Sequence, residues 1–492
     1  MRKLSVYSKA IICLLAVFAI SLVCYIFAAH KNAEEELSLA MEYGSVPLFS
    51  FDANSTLSVE IETPEDGLYR LFYENSDWTI EDVNFSPNEA GIESIVTIMS
   101  ALYSTRTISF DASSENLAIY GLDEPTRITC RVSGGADYTL YIGDTTPTGE
   151  NYYAMREGED YIYLISAEEG VYLDASRDLL KDPYIINYGT IYSDVTYLKL
   201  DRDDETVFEL EYGDTWQNYP LQNRLSTSTA DRWTAISPID WPIHYSNIST
   251  IVDNMIRVQV AEFVEEDCQN LEKYGLDDPK FRLSIGTDDG EMVDIVFGNQ
   301  NIDGTYIYAM YEDTKQVVLF SMSDMYFLEC TPEEIYNPYI YTLHMLTDNN
   351  NQTDIAEIEL TLDGQTHYIT NNSYDDINEY TFDGIELYSD VIGTALFEEL
   401  FSALSSFTFS TVDVSGENVQ KGDEVYFGYN YVLANGEEVS VELYEIPGEE
   451  LRYYIFLNDE YVNLTTRESV IDSATGVRVT CNALLKHISE NY

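Results

Sequence analysis

The hexapeptide Tyr120-Gly121-Leu122-Asp123-Glu124-Pro125 returns 154 residues later as Tyr274-Gly275-Leu276-Asp277-Asp278-Pro279. We call each copy the signature. Neighbouring residues return at almost the same distance, since Trp78 and Gly143 have counterparts 155 residues later in Trp233 and Gly298. A period of about 155 residues is the size of a whole domain, much longer than a solenoid repeat. The sequence therefore predicts tandem domains, which we call modules.

A third, degenerate module is predicted downstream. Asp160-Tyr161-Ile162-Tyr163-Leu164 resembles Glu460-Tyr461-Val462-Asn463-Leu464, 300 residues later. At that offset Lys421-Gly422-Asp423-Glu424-Val425 replaces the signature from its glycine onward, and Leu443 lies opposite Gly143. The predicted boundaries are 1–31 for a cytoplasmic tip and membrane anchor, 50–188 for module 1, 191–343 for module 2 and 353–488 for module 3.

Hydrophobic periodicity predicts an α+β module made of a hairpin, a helix, a four-strand antiparallel meander and a closing helix. Alternation at Leu57, Val59 and Ile61 is typical of a strand. Spacings of three and four indicate one buried helix face in every module. These residues are Ile92, Ile95, Ile98, Met99 and Leu102, then Ile248, Ile251, Met255 and Ile256, then Leu396, Leu400, Phe401 and Leu404.

Capping patterns predict where the closing helices begin. Ser166 precedes Glu169 by three residues and Thr465 precedes Glu468 by three, which is the spacing of a capping box. Ser321 and Asp324 form a looser version in module 2.

Two interpretations of the signature stay open. Glycine accepts positive φ and proline fixes φ, so the hexapeptide shapes a turn into the next sheet. Alternatively it lines a ligand site, which predicts exposed tyrosine rings and a pocket at the turn. The candidate residues are Tyr120, Gly121, Leu122, Asp123 and Pro125 with Tyr274, Gly275, Leu276, Asp277 and Pro279.

The amino terminus predicts a membrane span. Arg2, Lys3 and Lys9 precede an uncharged, mostly apolar run at residues 10–29, and acidic residues follow at 34–36. Twenty such residues can cross a bilayer as a helix, and the basic flank places the amino terminus in the cytoplasm and the rest outside. A cleaved signal peptide is the alternative, because Ala28, Ala29 and Ala33 offer small residues near the end of the run.

The chain carries 25 basic and 87 acidic residues, a formal charge of −62. Such a surface repels nucleic acid and anionic lipid, so we predict no nucleic-acid binding. The charge suits solubility of an exported protein, or attraction for cations or a basic partner. Cys130, Cys268, Cys330 and Cys481 do not recur between modules, with Cys130 opposite Ser284, which favours free thiols over a disulfide framework.

We find no local motif for catalysis, a metal or a cofactor, and predict none of these. The acidic residues Asp201, Asp203, Asp204 and Glu205 are interpreted as a hairpin tip and not as a calcium site, since calcium needs six to eight converging oxygens. Trp78, Trp216, Trp233 and Trp241 are interpreted as core residues, with glycan stacking as the alternative. Residues 348–354 are interpreted as a linker.

The signature, the following strand, Tyr141-Ile142-Gly143-Asp144 and Tyr152-Tyr153-Ala154-Met155 carry a resemblance. Together they resemble the domain-of-unknown-function family numbered 4340. The resemblance implies a bacterial, membrane-anchored extracytoplasmic protein, often associated with gliding-type ABC transporter components. We therefore expect a non-enzymatic scaffold or accessory subunit. The alternatives are a cell-wall or glycan binding protein and, third, a hydrolase that uses paired carboxylates.

Overall fold

The computed structural model describes residues 44–83, 85–109, 114–174, 176–187, 189–213, 232–341, 355–371, 379–387, 389–415, 418–434 and 436–492. The predicted anchor, Cys13, Cys24, Trp216 and the predicted linker at 348–354 lie outside these residues. Within them, no helix combines the length and the apolar composition that a membrane crossing requires. The chain divides into two compact units, Met1–Pro183 and Tyr184–Tyr492.

Unit 1 contains module 1, an antiparallel sheet of eight strands in the order β3-β2-β1-β5-β6-β7-β8-β4. The strands are β1 (Thr56–Thr63), β2 (Gly67–Glu74), β3 (Asp77–Ile80), β4 (Arg106–Ser109), β5 (Thr126–Val132), β6 (Asp137–Thr145), β7 (Asn151–Arg156) and β8 (Ile162–Ser166). Its α-helices are α1 (Glu89–Ser100), α2 (Ser114–Ile119) and α3 (Ala167–Leu173).

Unit 2 contains modules 2 and 3, whose sheets repeat this strand order with one added edge strand each, β12 and β21. Module 2 has β9 (Val195–Arg202), β10 (Glu205–Tyr212), β11 (Trp233–Ser237), β12 (Trp241–Pro242), β13 (Glu262–Glu265), β14 (Phe281–Thr287), β15 (Met292–Gln300), β16 (Tyr306–Tyr311), β17 (Val317–Ser321), α4 (Tyr245–Met255) and α5 (Pro332–Ile335). Module 3 has β18 (Ile355–Leu362), β19 (Gln365–Asn371), β20 (Tyr380–Phe382), β21 (Ile385–Glu386), β22 (Thr411–Val412), β23 (Phe427–Leu433), β24 (Glu438–Glu445), β25 (Arg452–Leu457), β26 (Glu460–Arg467), α6 (Val391–Ser405), α7 (Glu468–Ile471) and α8 (Val477–Asn491).

The shared strand order confirms three sheet modules, the third included. In each module the chain leaves one edge of the sheet through the first long helix and returns as a short strand at the opposite edge. Most residues of the helix faces predicted from periodicity are buried, with Ile92, Ile248 and Leu400 fully inaccessible. Ile98, Ile256 and Leu396 are only partly buried. The described part of the chain is mostly β. The α+β prediction is therefore confirmed in part, because the antiparallel sheets and their packed helices are present but the helices are few.

Two local predictions are wrong, those for the caps of the closing helices in modules 2 and 3. Leu57 lies in β1 as predicted, although its side chain is 50% exposed because the register between β1 and β5 shifts between Thr56 and Ser58. A bulge of this kind turns the next side chain to the other face. Ser166 caps α3 as predicted, accepting from the amide of Glu169 at 3.3 Å. Thr465, however, lies inside β26 and α7 begins after Arg467, while Ser321 ends β17 and caps no helix.

Strand pairing refines the alignment of the modules. Ile128 pairs with Ile61, Leu283 with Leu200, and Tyr429 with Leu360, so these positions are equivalent. The offset from module 1 to module 3 is therefore 301 in this region. As a correction, Tyr444 and not Leu443 occupies the place of Gly143, and Ile285 and not Ser284 the place of Cys130.

Each module also starts with a short apolar segment that packs beside the first long helix of the module. We call this segment the docking segment. One of its backbone amides donates to a carbonyl in the loop after that helix. The pairs are Leu48 N to Leu102 O at 2.8 Å, Ile185 N to Val258 O at 3.1 Å and Ile340 N to Phe407 O at 3.0 Å. Leu48, Ile185 and Ile340 are buried, so these segments belong to the core of the module that follows them.

Candidate functional site

The signature forms the carboxy-terminal cap of a helical turn. In module 1 the amide of Leu122 donates to the carbonyl of Leu117 at 2.9 Å, and Gly121 has a φ of +66°. In module 2 Leu276 donates to Leu271 at 3.0 Å, and Gly275 has a φ of +70°. A bond spanning five residues beside a left-handed glycine is a Schellman motif. The leucine after each glycine is buried and fixes the turn to the sheet.

A second glycine lets the signature lie directly on the sheet. A Cβ added to Gly143 would lie 2.2 Å from the carbonyl oxygen of Tyr120, and one added to Gly298 would lie 2.3 Å from that of Tyr274. The amide of Asp144 donates to the same Tyr120 oxygen at 2.9 Å. The repeat thus conserves a pair of glycines that allows one close backbone contact.

The ring of each signature tyrosine packs against the ring of a tyrosine in the sheet. Tyr120 is half-buried, with its ring centroid 4.8 Å from that of Tyr153. Tyr274 is only 3% exposed, lies 4.9 Å from Tyr308, and donates its hydroxyl to Glu265 at 2.8 Å. Burial is the first cause that raises the pKa of Tyr274. In the described part of module 2, therefore, the signature tyrosine presents no open ring.

Module 1 has a cleft of about 460 Å³ beside its signature. Three walls enclose it: the tip of the β1–β2 hairpin, the end of the signature with the adjoining part of β6, and the chain after α3. The lining residues are Thr63, Pro64, Glu65, Asp66, Gly121, Glu124, Thr126, Ile142, Gly143, Asp144, Thr145, Tyr152, Asp174 and Ser176. Its volume falls within the range of small-ligand sites.

The described lining of this cleft carries acidic and hydroxyl groups and no Lys or Arg. Two walls are joined where the Thr126 hydroxyl donates to Asp174 Oδ1 at 2.9 Å. Asp66 accepts from the amide of Arg177 at 3.0 Å. The guanidinium of Arg177 donates from Nη1 to the Tyr69 hydroxyl at 2.9 Å, and its Cζ lies 5.2 Å from the Phe85 ring centroid.

The sequence predicts one wall of this cleft and gives no indication of the other two. Gly121 belongs to the candidate signature and lines the cleft, whereas Asp123 and Pro125 do not. The hairpin tip and residues 174 and 176 carry no local motif. The one sequence signal for the hairpin wall is the longer turn of the first hairpin in module 1. This turn contains Pro64, Glu65 and Asp66, whereas the turn in module 2 contains only Asp203 and Asp204.

Other reactive groups lie apart from the cleft. Cys130, Cys268, Cys330 and Cys481 are free, and burial raises the pKa of the Cys130, Cys330 and Cys481 thiols to about 12. Thiols with so high a pKa are poor nucleophiles at neutral pH. Among the described residues no group of three or more His, Cys, Asp or Glu side chains is arranged to hold a metal ion. The tip at residues 203–204 is a two-residue turn, as predicted.

The tryptophans of the described residues are core residues. Trp78, Trp233 and Trp241 are at most 5% exposed. Trp78 and Trp233 occupy equivalent strand positions, since they pair with Tyr73 and Tyr212. This confirms the core interpretation of both repeat-matched tryptophans.

Comparison with known proteins gives a family and nothing finer. No curated protein and no solved structure matches the chain. A family model described as "Domain of unknown function (DUF4340)" matches residues 78–232 and 233–421 in two adjacent segments. The two segments start at the repeat-matched Trp78 and Trp233, and the second ends before the meander of module 3. These segments cover more than half of the sequence, and the chain therefore belongs to the DUF4340 family.

Proposed function

We propose that this protein is a membrane-anchored extracytoplasmic scaffold, an accessory subunit of a bacterial ABC-type transport system without a catalytic step of its own. One observation carries the proposal: the residues that recur between modules build the modules. The signature leucines, the paired glycines, the tryptophans and the docking segments all act in packing. Repetition of architecture is typical of proteins that present surfaces to partners.

Charge and the amino-terminal sequence support the same role. The apolar run at 10–29 would hold the chain at the membrane, and the strongly acidic remainder would stay hydrated and repel anionic lipid head groups. Such a subunit would meet its partners through specific contacts outside the bilayer. The buried tryptophans are unavailable for stacking on sugars, so we do not propose glycan binding.

Co-purification tests this role. The full chain, tagged at its carboxy terminus, would be extracted in mild detergent from its native membrane and its companions identified by mass spectrometry. We expect a transporter ATPase and a permease in stoichiometric amounts. The matched control is an unrelated single-span protein with the same tag and expression level. Recovery of the chain alone, or of the same companions with the control, would count against the transporter role.

A further inference from the structure

We propose that a water molecule is bound inside module 3, where it bridges the hydroxyl groups of Tyr429 and Tyr431 in the layer between the sheet and α6. Both residues belong to β23. Tyr341, which follows Ile340 in the docking segment, packs against the ring of Tyr431. We call Tyr341, Tyr429 and Tyr431 the tyrosine cluster. This inference concerns the core of module 3 and does not depend on the transporter role.

The tyrosine cluster occupies positions that are apolar in both other modules. Strand pairing and the docking segments establish the counterparts, which are Ile128 and Leu283 for Tyr429, Cys130 and Ile285 for Tyr431, and Phe49 and Ile186 for Tyr341. All six counterparts are buried. Module 3 therefore differs from modules 1 and 2 in carrying three hydroxyl groups at neighbouring core positions.

The three rings of the cluster lie close together and away from solvent. The ring centroid of Tyr431 is 5.0 Å from that of Tyr429 and 5.8 Å from that of Tyr341. Tyr429 is 2% exposed, and the other two residues are fully inaccessible. Tyr429 and Tyr431 are two residues apart in one strand, so their side chains share the face of the sheet on which their strand partners Leu360 and Ile358 lie.

The hydroxyl groups of Tyr429 and Tyr431 make no hydrogen bond within the described part of the chain. Other buried tyrosines do make one, since Tyr69, Tyr163 and Tyr336 each donate to an acceptor. A buried hydroxyl group without a hydrogen bond opposes folding, whereas a phenylalanine ring would fill nearly the same space without that cost. The two hydroxyl groups therefore indicate a polar molecule bound between them.

The protonation of the phenol groups favours water as that molecule. Burial raises the pKa of Tyr429 and of Tyr431, and the nearby Tyr341 raises the pKa of both further. The phenol groups therefore stay neutral, and each can donate one hydrogen bond and accept others. A water molecule can accept from one hydroxyl group and donate to the other. An ion would bring a buried charge that neutral phenol groups do not balance.

The core of module 3 has room for one such molecule. A cavity of about 10 Å³ lies between the sheet and α6, and its lining includes Ile358, Phe397 and Phe401. Ile358 is the strand partner of Tyr431. A water molecule needs a cavity of about 10–15 Å³ and two to four polar partners. The cavity supplies space in the layer that contains the tyrosine rings, and the hydroxyl groups supply the partners.

Removal of single hydroxyl groups tests the proposal through the sign of its effect. Tyr429→Phe and Tyr431→Phe each delete one hydroxyl group and keep the ring. We expect each substitution to raise the opening equilibrium constant of β23 about three- to tenfold, because the water molecule loses a hydrogen bond. Hydrogen exchange of β23 amides in the full chain, purified in mild detergent, measures this constant. A lower constant in either variant would overturn the proposal, because it would mean that the deleted hydroxyl group had no partner.

Two further tyrosines serve as matched controls. The hydroxyl group of Tyr336 donates directly to the carbonyl of Ser237 at 3.2 Å, so Tyr336→Phe should raise the opening constant of module 2 and calibrate the loss of one hydrogen bond. Tyr368 is 56% exposed on β19, and Tyr368→Phe should leave the opening constant of β23 unchanged. An equal rise in Tyr368→Phe would overturn the proposal, because the effect would not require a buried hydroxyl group.

The double variant Tyr429→Phe/Tyr431→Phe tests whether the two hydroxyl groups share one water molecule. The first substitution already weakens the hold on a shared water, so the second should raise the opening constant by a smaller factor. If the two single factors multiply in the double variant, the hydroxyl groups have separate partners and the shared water is excluded.

A crystal structure of the full chain locates the water molecule directly. We expect electron density within about 2.6–3.2 Å of both Oη atoms in the wild type and none at that place in the double variant. The proposal fails if the wild type shows no density there, a direct hydrogen bond between the two hydroxyl groups, or a chloride ion identified by its anomalous scattering. It also fails if the density persists in the double variant, because the phenol groups would then not hold the molecule.

Discussion

Modules 1 and 3 have sheets with the same strand order, although only module 1 carries the signature. Where module 1 has Gly143 beneath the Tyr120 carbonyl, module 3 has Tyr444. The ammonium of Lys421 lies 5.8 Å from the Tyr444 ring centroid and pairs with Glu442 and Asp459. A side-chain cluster thus replaces a backbone contact at one place in the sheet.

This comparison distinguishes the residues that form the sheet from the residues that hold other segments against it. The strand order depends on buried apolar positions. These positions tolerate differences as large as that between Cys130 in module 1 and the equivalent Tyr431 in module 3. The contacts on the surface of the sheet change together, since the signature and the glycine beneath it are both present in module 1 and both replaced in module 3. Removing one member of such a set should be costly, because its partners remain.

The largest effect is expected for Gly143→Ala. The new Cβ would lie 2.2 Å from a backbone oxygen and 3.0 Å from the carbonyl carbon of Gly121, so the signature must move off the sheet. We expect the free energy of unfolding of module 1 to fall by about 3 kcal/mol or more. Hydrogen exchange of β5 amides across a urea series measures this loss for module 1 separately.

The control is Gly149→Ala. Gly149 has a φ of +71°, but nothing lies within 4 Å of an added Cβ, so only the backbone conformation opposes the change. Its cost should be about 1 kcal/mol. Equal costs at the two glycines would mean that close contact with the signature does not stabilise module 1.

The second effect concerns the ion cluster around Arg478 in module 3. Arg478→Met leaves Asp363, Glu468 and Asp472 together without their shared cation, and we expect a loss of about 2–3 kcal/mol from unit 2. Arg70→Met is the control, because Arg70 is 47% exposed beside Glu60 and Glu81, and solvent screens an exposed ion pair, so its loss should be clearly smaller. Urea unfolding of both variants, followed by hydrogen exchange in α8 and β2, compares them. Similar losses would mean that the partly buried cluster around Arg478 stabilises the fold no more than an exposed ion pair does.

Local patterns in the sequence were enough to predict most of the fold. Alternation located the hairpins and meanders, spacing of three and four located the buried helix faces, and glycine chemistry located the positive φ at Gly121 and Gly275. What the patterns missed depends on distant partners. The short strands β3 and β4 exist because each pairs along one sheet edge, and the bulge at Leu57 appears only when β1 pairs with β5.

The candidate site was harder to predict for the same reason. The walls of the cleft lie about 50 to 60 residues apart in the sequence, at residues 63–66, 121–126 and 174–176. Sequence alignment at a constant offset of 300 also shifted the meander of module 3 by one residue, which hid Tyr444 as the replacement for Gly143.

A smaller effect is expected at the start of the closing helices. Ser166 caps α3 and also donates to Glu169 Oε2 at 2.7 Å, so Ser166→Ala should cost about 1 kcal/mol. The equivalent Ser321 makes a hydroxyl contact with Ser323 at 2.7 Å and caps no helix. Ser321→Ala should therefore change stability by less than about 0.5 kcal/mol. Thermal unfolding of both variants measures the two losses of stability. Equal losses would contradict the predicted difference between Ser166 and Ser321.

The smallest effect is a difference in pH dependence between the caps of α1 and α6. Asn88 caps α1 by accepting from Gly91 at 3.0 Å, and an amide side chain does not titrate. Asp390 caps α6, where the amide of Gly393, the ring of His487 and the amide of Ile392 lower the pKa of its carboxyl group. The carboxylate therefore stabilises the folded state above its unfolded pKa of about 3.9, and this contribution is lost as the pH falls through the folded value.

The stability lost in Asp390→Asn should accordingly be present at pH 5 and should shrink as the pH falls below about 4. The stability lost in Asn88→Ala should not change over the same range. Thermal unfolding of the wild type and both variants between pH 7 and pH 2.5 gives the two differences. If the Asp390→Asn difference is the same at pH 3 as at pH 7, the carboxylate charge does not matter at this cap, and the caps of modules 1 and 3 are equivalent despite their chemistry.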